Sequence, residues 1–341
     1  MRRRQFLASA ALLAGSAAAA RVPALAAAGD GPAGGGHGAV PRLLDGFLAL
    51  PGSKSAQIDV DAPLNAWRVT HEPDAPLFCG SCFKTFVLAT YLQEVEAERL
   101  SESEQLAIDD TLRSVGGGVF EFLTGKTQAR NVLEAMIAHS DNTATDVAMQ
   151  RVGVARVREF LANAGLRQAR VPDSTRRFFS YVAGYPVGED MGWKALDAMQ
   201  SAPDTPAATA KFRAPINDEQ TMVCPASEFV SYYKRALAGA FFGKPATLRE
   251  FKRIQAMADA IAFVIPADTP AYMKGGSIDW NGFHCMATAG QMIVGETPVT
   301  FCLTLNWNDS DGGKDTVAGA YKNAVADVMR KIHKRLLEAR A

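Results

Sequence analysis

Apolar residues recur along this chain with periods that change from one region to the next. Positions 41–50 show helical spacing, and two short extended runs follow at 56–60 and 66–70. Three-to-four spacing then continues through most of the middle of the chain. This spacing predicts helices over 81–98, 103–114, 130–138, 143–152, 154–164, 226–240 and 246–262.

The C-terminal part changes to strand-like patterns. We predict strands at 271–279, 283–294 and 297–306, followed by a helix at 314–339 whose apolar stripe packs on the sheet. Residues 167–220 show no sustained period and predict a long ordered loop with one short helix.

These elements predict a mixed α/β (α+β) fold. The two early strands and the three late ones can pair into one five-stranded antiparallel sheet, flanked by N- and C-terminal helices, with the middle inserted as an all-α lobe. We therefore expect one catalytic domain over 41–341, with an α/β lobe (41–76 and 263–341) and a helical lobe (77–262). The cleft between the lobes is the natural ligand site.

The N-terminus predicts a twin-arginine-type export signal over residues 1–28. The Arg-Arg pair at 3–4 precedes an apolar, alanine-rich run, which Arg21 interrupts well short of the roughly 20 residues that a membrane span needs. The glycine-rich stretch 29–40 predicts a flexible linker. We expect a periplasmic or secreted protein with no stable membrane span after signal removal.

Charge and cysteine content narrow the expected partners. The 36 basic and 36 acidic residues cancel, and no basic run interleaved with aromatics follows the N-terminus, so nucleic acid is not an expected partner. Five cysteines is an odd number, so at least one is expected to be free or to pair between molecules. We expect a monomer.

The stretch 79–84, CGSCFK, contains two overlapping candidate sites. Cys79 and Cys82 form a C-x-x-C typical of thiol redox sites, but the helical pattern that follows does not suit a thioredoxin-like fold. No second cysteine or histidine motif completes a zinc site, so we expect no metal and no other cofactor. Ser81 and Lys84 share one helix face, and a desolvated lysine there could act as a base for the serine.

Two further motifs carry polar residues or glycines with possible chemical roles. Ser140 and Asn142 lie in a turn that could simply cap the next helix, or could shuttle a proton and bind a substrate amide. Gly276 falls inside a predicted strand, where glycine weakens pairing but lets a ligand or another backbone approach closely. Lys274 would supply positive potential, and the Ser277 N–H could join that of the first-motif serine as an oxyanion hole.

In this order the three motifs resemble those of the active-site-serine penicillin-recognising enzymes, and class A β-lactamases in particular. That family carries S-x-x-K, S-D-N and K-T-G, and the 59 positions from Ser81 to Ser140 are close to its spacing. The resemblance covers nearly all of the chain after the linker. It implies that Ser81 is the acylated nucleophile, Lys84 its base, Ser140 the proton shuttle, Asn142 the amide contact and Lys274 the anion anchor.

The sequence departs from the family pattern in three places. K-T-G has become K-G-G, so a hydroxyl that helps to hold the substrate carboxylate is missing, although Ser277 could replace it. His284 lies near the position of an expected arginine. The E-x-x-L-N motif, whose glutamate activates the deacylating water, is absent after Ser140. Glu189 is the candidate for this catalytic carboxylate, with Asp173 as the alternative.

The resemblance implies a serine hydrolase of class A β-lactamase type, which opens the β-lactam amide through an acyl-serine intermediate. The expected substrate is a small β-lactam or a peptidoglycan-like compound. Two alternatives stay open: a D-alanyl-D-alanine peptidase or esterase with the same serine and lysine, and a slowly deacylating penicillin-binding or sensor protein. The missing glutamate motif favours these alternatives.

Overall fold

The computed structural model describes residues 42–116, 118–202 and 209–339. The predicted signal segment 1–28 and linker 29–40 lie outside these described residues. Within the described ranges, no helix is both long enough and apolar enough to cross a membrane.

A five-stranded antiparallel sheet forms the centre of the fold, as the sequence predicted. The order across it is β2-β1-β7-β6-β5, and β3 pairs with β4 in a separate two-stranded sheet. The strands are β1 (Ser53–Val60), β2 (Trp67–His71), β3 (Gln105–Ile108), β4 (Gly125–Gln128), β5 (Ala271–Trp280), β6 (Phe283–Val294) and β7 (Thr297–Asn308). Early and late parts of the chain therefore share one sheet, with β5 at its edge.

Helices pack against the sheet and form most of the remaining regular structure of the described residues. Those before residue 202 are α1 (Asp45–Leu48), α2 (Lys84–Glu96), α3 (Ala129–Ala138), α4 (Asn142–Val152), α5 (Val154–Asn163), α6 (Thr175–Val182) and α7 (Gly192–Ser201). Those after residue 209 are α8 (Ala226–Leu237), α9 (Pro245–Gln255), α10 (Ile261–Val264) and α11 (Lys314–Glu338). A 3₁₀ turn, Gly80–Phe83, leads directly into α2.

The predicted helix over 103–114 is wrong. Residues 105–108 form a strand in which Leu106 and Ile108 are buried while Gln105 and Ala107 are exposed. This alternation has the period of two that a half-buried strand requires, and over four residues it cannot be told from helical spacing. Pairing with the distant strand β4 decides the outcome.

The segment 167–220 contains more helix than predicted. It holds both α6 and α7 rather than one short helix. Helix α6 begins after Ser174, whose hydroxyl accepts a hydrogen bond from the Arg177 N–H and caps the helix. This cap helps to fix the position of α6 beside the candidate active site.

Candidate active site

One pocket brings together residues from all three sequence motifs. Its lining residues are Phe78, Gly80, Ser81, Ser140, Asn142, Phe178, Phe179, Met222, Ser277 and Ile278. The water-accessible volume of the pocket is about 30 Å³, which is enough for one or two water molecules. The polar residues predicted for a serine hydrolase therefore meet in a narrow site.

The turn that carries Ser81 is clamped to the sheet through the backbone of Phe78. Asn306 on β7 accepts from the Phe78 N–H at 2.9 Å and donates to the Phe78 carbonyl at 2.9 Å. Cys285, the partner of Asn306 across β6 and β7, donates its thiol to the same carbonyl at 2.9 Å. Two sheet residues thus satisfy both backbone groups of Phe78, which lies just before the turn.

The same turn also lies against the edge strand β5 with no room for side chains. A Cβ atom placed on Gly276 would lie 2.1 Å from the Cys79 carbonyl oxygen and 2.9 Å from the Ser81 nitrogen. A Cβ on Gly80 would lie 2.7 Å from the Ser277 nitrogen. The glycine that weakens the strand therefore lets the backbones of Ser81 and Ser277 meet, as a paired N–H oxyanion hole requires.

Lys84 is fully buried, and its amine is bound by the second motif. Nζ donates to the Ser140 carbonyl at 2.6 Å and to Asn142 Oδ1 at 2.7 Å, and it lies 3.4 Å from Ser140 Oγ. Among the described residues, no hydrogen bond joins Lys84 to Ser81. Catalytic hydrogen bonds of this kind often tighten only when a substrate is bound.

The surroundings of Lys84 disfavour its charged form. Burial lowers the pKa of Lys84 well below its usual value, and the positive charge of Lys274 lowers it further. The carboxylates of Asp141 and Asp146 oppose this shift without cancelling it. Lys84 is therefore suited to accept a proton.

Ser140 has an unusual backbone conformation, with φ at 58°. A non-glycine residue in the left-handed region is strained, and such strain concentrates at functional sites. The conformation presents the Ser140 carbonyl to Lys84, while Asp141 caps α4 by accepting from the Ala144 N–H. Asn142 donates its amide to the Val115 carbonyl at 2.6 Å. The turn thus both caps a helix and positions the lysine.

Lys274 is buried in β5, and none of the described carboxylates forms an ion pair with it. Its Nζ donates to the neighbouring Gly275 carbonyl at 2.9 Å. Burial lowers the pKa of Lys274 to about 8, although the nearby Cys82 and Asp259 oppose the shift. A cation with so weak a partner is suited to attract an anionic group of a substrate.

His284 is buried, and two carboxylates lie beside its ring nitrogens. Nδ1 lies 3.2 Å from Asp279 Oδ1, and Nε2 lies 2.7 Å from Asp309 Oδ1. Burial opposes the charge of His284, but the two aspartates outweigh it and raise the pKa. His284 does not line the pocket, and its charge is balanced by these two aspartates.

The two candidate carboxylates for water activation lie elsewhere. Glu189 is exposed on the segment after α6 and does not line the pocket. Asp173 accepts from Arg158 at 2.8 Å and from the Gln220 side chain at 2.8 Å, so it ties surface segments together. Within the described part of the chain, the pocket lining contains no aspartate or glutamate.

The five cysteines are all unpaired and buried. Burial raises the pKa of Cys79 well above its usual value and that of Cys82 to about 12, so these thiols stay protonated. A redox site needs accessible thiols with lowered pKa values. The described residues also contain no group of three or more metal-binding side chains that could hold an ion.

Sequence reasoning missed several residues that shape the pocket. Phe178 and Phe179 of α6 line it, and Asn306 clamps the turn that carries Ser81, but none of them forms part of a short motif. The only signal that the sequence offers for the two phenylalanines is their adjacency within 167–220, the segment with no sustained period.

Comparison with known proteins supports the resemblance drawn from the motifs. Residues 59–227 match the model of the Beta-lactamase enzyme family, a stretch that includes the first two motifs. No curated protein sequence matches this chain.

Solved structures extend the likeness to the whole fold. PBP-A has 14% identity and a TM-score of 0.62, covering 86% of this chain and 97% of its own. A β-lactamase from Xanthomonas campestris pv. campestris has 17% identity and a TM-score of 0.64, covering 85% of this chain and 95% of its own. The TLA-3 extended-spectrum β-lactamase has 12% identity and a TM-score of 0.64, covering 86% of this chain and 96% of its own.

The family match covers just under half of the chain, so the similarity to the Beta-lactamase enzyme family lies within residues 59–227. The fold is the one shared by class A β-lactamases and PBP-A. At these identities the likeness to solved structures is one of fold, and the reaction has to be argued from the pocket.

The contact between Gly276 and the turn that carries Ser81 yields a first prediction. Gly276→Ala should lower the free energy of unfolding by about 1–3 kcal/mol, because the new Cβ forces the two backbones apart. Gly319→Ala is the matched control, since a Cβ there meets nothing within 4 Å and alanine favours the helix. Denaturant unfolding measures both, and equal stabilities for the two variants would contradict the contact.

Proposed function

We propose that this protein is a penicillin-recognising serine hydrolase that β-lactams acylate at Ser81 and that releases the acyl group slowly. The observation that carries the proposal is the site itself, in which Ser81, Ser140 and a desolvated Lys84 come together but no described carboxylate lines the pocket. Lys84 can act as the base for acylation, whereas no described carboxylate in the pocket lining can activate water for hydrolysis of the acyl-enzyme.

Acylation uses the lone pair of a neutral Lys84. A neutral amine has two N–H donors, and the two short bonds to Ser140 O and Asn142 Oδ1 use both. Its lone pair is left to take the proton of the Ser81 hydroxyl as Oγ bonds to the substrate carbonyl carbon. When the carbon–nitrogen bond breaks, Ser140 passes this proton from Lys84 to the leaving nitrogen.

Deacylation requires water to attack the same carbonyl carbon and return the proton to Ser81. Phe178 and Phe179 line the pocket beside the serine, where they offer no proton acceptor. The acyl-enzyme is therefore expected to persist. One structural neighbour, a mutant of PBP-A with 13% identity and a TM-score of 0.62, is itself an acyl-enzyme complex with penicillin G.

The same lack of a carboxylate in the described pocket lining favours a peptidase or esterase over an efficient β-lactamase as the natural activity. The acyl group would then pass from a D-alanyl-D-alanine-like peptide or an ester to water or another acceptor. Comparing turnover of a chromogenic lactam, an ester and an acyl-D-Ala-D-Ala peptide distinguishes the three activities. The role of Glu189 as the water-activating carboxylate stays a prediction. It would require Glu189 to move into the pocket when a substrate binds.

Intact mass spectrometry tests acylation directly. Wild-type protein exposed to penicillin G should gain the mass of one penicillin and keep it for many minutes, with a burst of lactam opening followed by slow turnover. Ser81→Ala should gain nothing, because the bond-forming oxygen is missing. Ser103→Ala removes an exposed serine outside the pocket and should behave as wild type. An adduct of equal yield in Ser81→Ala would refute the assignment.

The coupling between the two buried lysines predicts a pH effect. Acylation should rise with pH as Lys84 loses its proton, which gives the profile an acid limb. Because the charge of Lys274 lowers the pKa of Lys84, Lys274→Gln should move this limb to higher pH. Lys274→Arg keeps the charge and should leave the limb in place. Acylation rates with a neutral ester across neutral pH measure it, and superimposable profiles would show that the lysines are not coupled.

A further inference from the structure

One wall of the pocket is aromatic and comes from α6. Phe178 is fully buried, with its ring centroid 5.7 Å from that of Phe78 and 5.2 Å from that of Phe179. The ring centroid of Phe179 lies 6.2 Å from that of Trp280 at the end of β5. A continuous row of rings thus runs from the nucleophile turn to the edge strand, alongside Ser81.

This wall is held in place by a buried carboxylate on α4. Asp146 accepts from the backbone N–H of Thr175 at 2.6 Å and of Arg176 at 2.9 Å, which are the first two residues of α6. Hydrogen bonds from backbone N–H groups to a buried carboxylate are charge-assisted and stronger than neutral ones. They fix the start of a helix whose fourth and fifth residues line the pocket.

Arg176 adds a second anchor to the same helix. Its buried guanidinium donates to the Asp110 carbonyl at 2.8 Å and the Arg113 carbonyl at 3.0 Å, and it also bonds to the Thr111 carbonyl. It pairs with Asp190 at 2.7 Å on the segment after the helix. Because two sets of contacts hold the first turn of α6, the helix is expected to keep its position when a substrate enters.

We propose that Phe178 and Phe179 are specificity-determining residues that select acyl donors by the size of the substituent beside the scissile carbonyl. The proposal rests on the proposed function, because it concerns the same acylation of Ser81. A water-accessible space of about 30 Å³ leaves little room beside the serine, and a fixed aromatic wall cannot yield to a bulky group without loss of packing. Compounds with a small substituent are the favoured class.

The test compares two penicillins that share one nucleus. One carries a small acetamido group, and the other carries a bulky naphthyl amide at the same carbon. Wild-type protein should be acylated faster by the small compound, by about tenfold or more. Phe179→Ala should reduce this ratio at least about tenfold, since removing the ring opens the wall. Mass spectrometry of the adduct over time gives both rates.

Phe229→Ala is the matched control. Phe229 is equally buried but stacks on Phe86 at 5.3 Å and does not line the pocket, so its loss should leave the ratio unchanged. If Phe179→Ala does not fold, Phe179→Leu removes less volume and should still lower the ratio severalfold.

The outcomes separate the two proposals. A wild-type ratio near one, or a ratio that Phe179→Ala and Phe179→Leu leave unchanged while both compounds still acylate Ser81, would overturn the size selection alone. If neither compound modifies any variant at Ser81, the proposed function fails and the size selection fails with it.

Discussion

The burial of the Lys84 amine is the constraint on which the rest of the site depends. An ammonium group at this position would lose its hydration, and the charge of Lys274 adds repulsion, so the neutral form is favoured. A neutral amine has two donors, and the Ser140 carbonyl and Asn142 side chain accept both. The strained backbone of Ser140 is the local cost of presenting that carbonyl.

The sheet holds the turn that carries Ser81 in place next to this amine. Asn306 and Cys285 bind the backbone of Phe78, and Gly276 allows β5 to touch the turn that follows. The turn therefore depends on strands from the opposite end of the chain. Helix α6, anchored by Asp146, closes the remaining side with aromatic rings instead of a carboxylate. Under the proposed function, these backbone contacts and the apolar wall would favour acylation over release.

Part of this could be predicted from the sequence because the signals are local. Ser81 and Lys84 are one helical turn apart, and the strands after residue 271 have clear hairpin turns. The remainder rests on contacts between distant positions: Phe78 and Asn306 are 228 residues apart. The strand at 105–108 could not be predicted, because four residues are too few to show a period and the partner strand β4 lies elsewhere in the sequence. No motif marks an aromatic wall.

The protonation state of Lys84 tests the central claim most directly. NMR of protein labelled at the lysine side-chain nitrogens, with Lys84→Arg to assign the signal, follows its titration in the folded state. We expect the amine to be neutral at pH values where other lysines are still charged, because burial lowers its pKa well below 10.5. A Lys84 signal that titrates together with those of the exposed lysines would contradict the account.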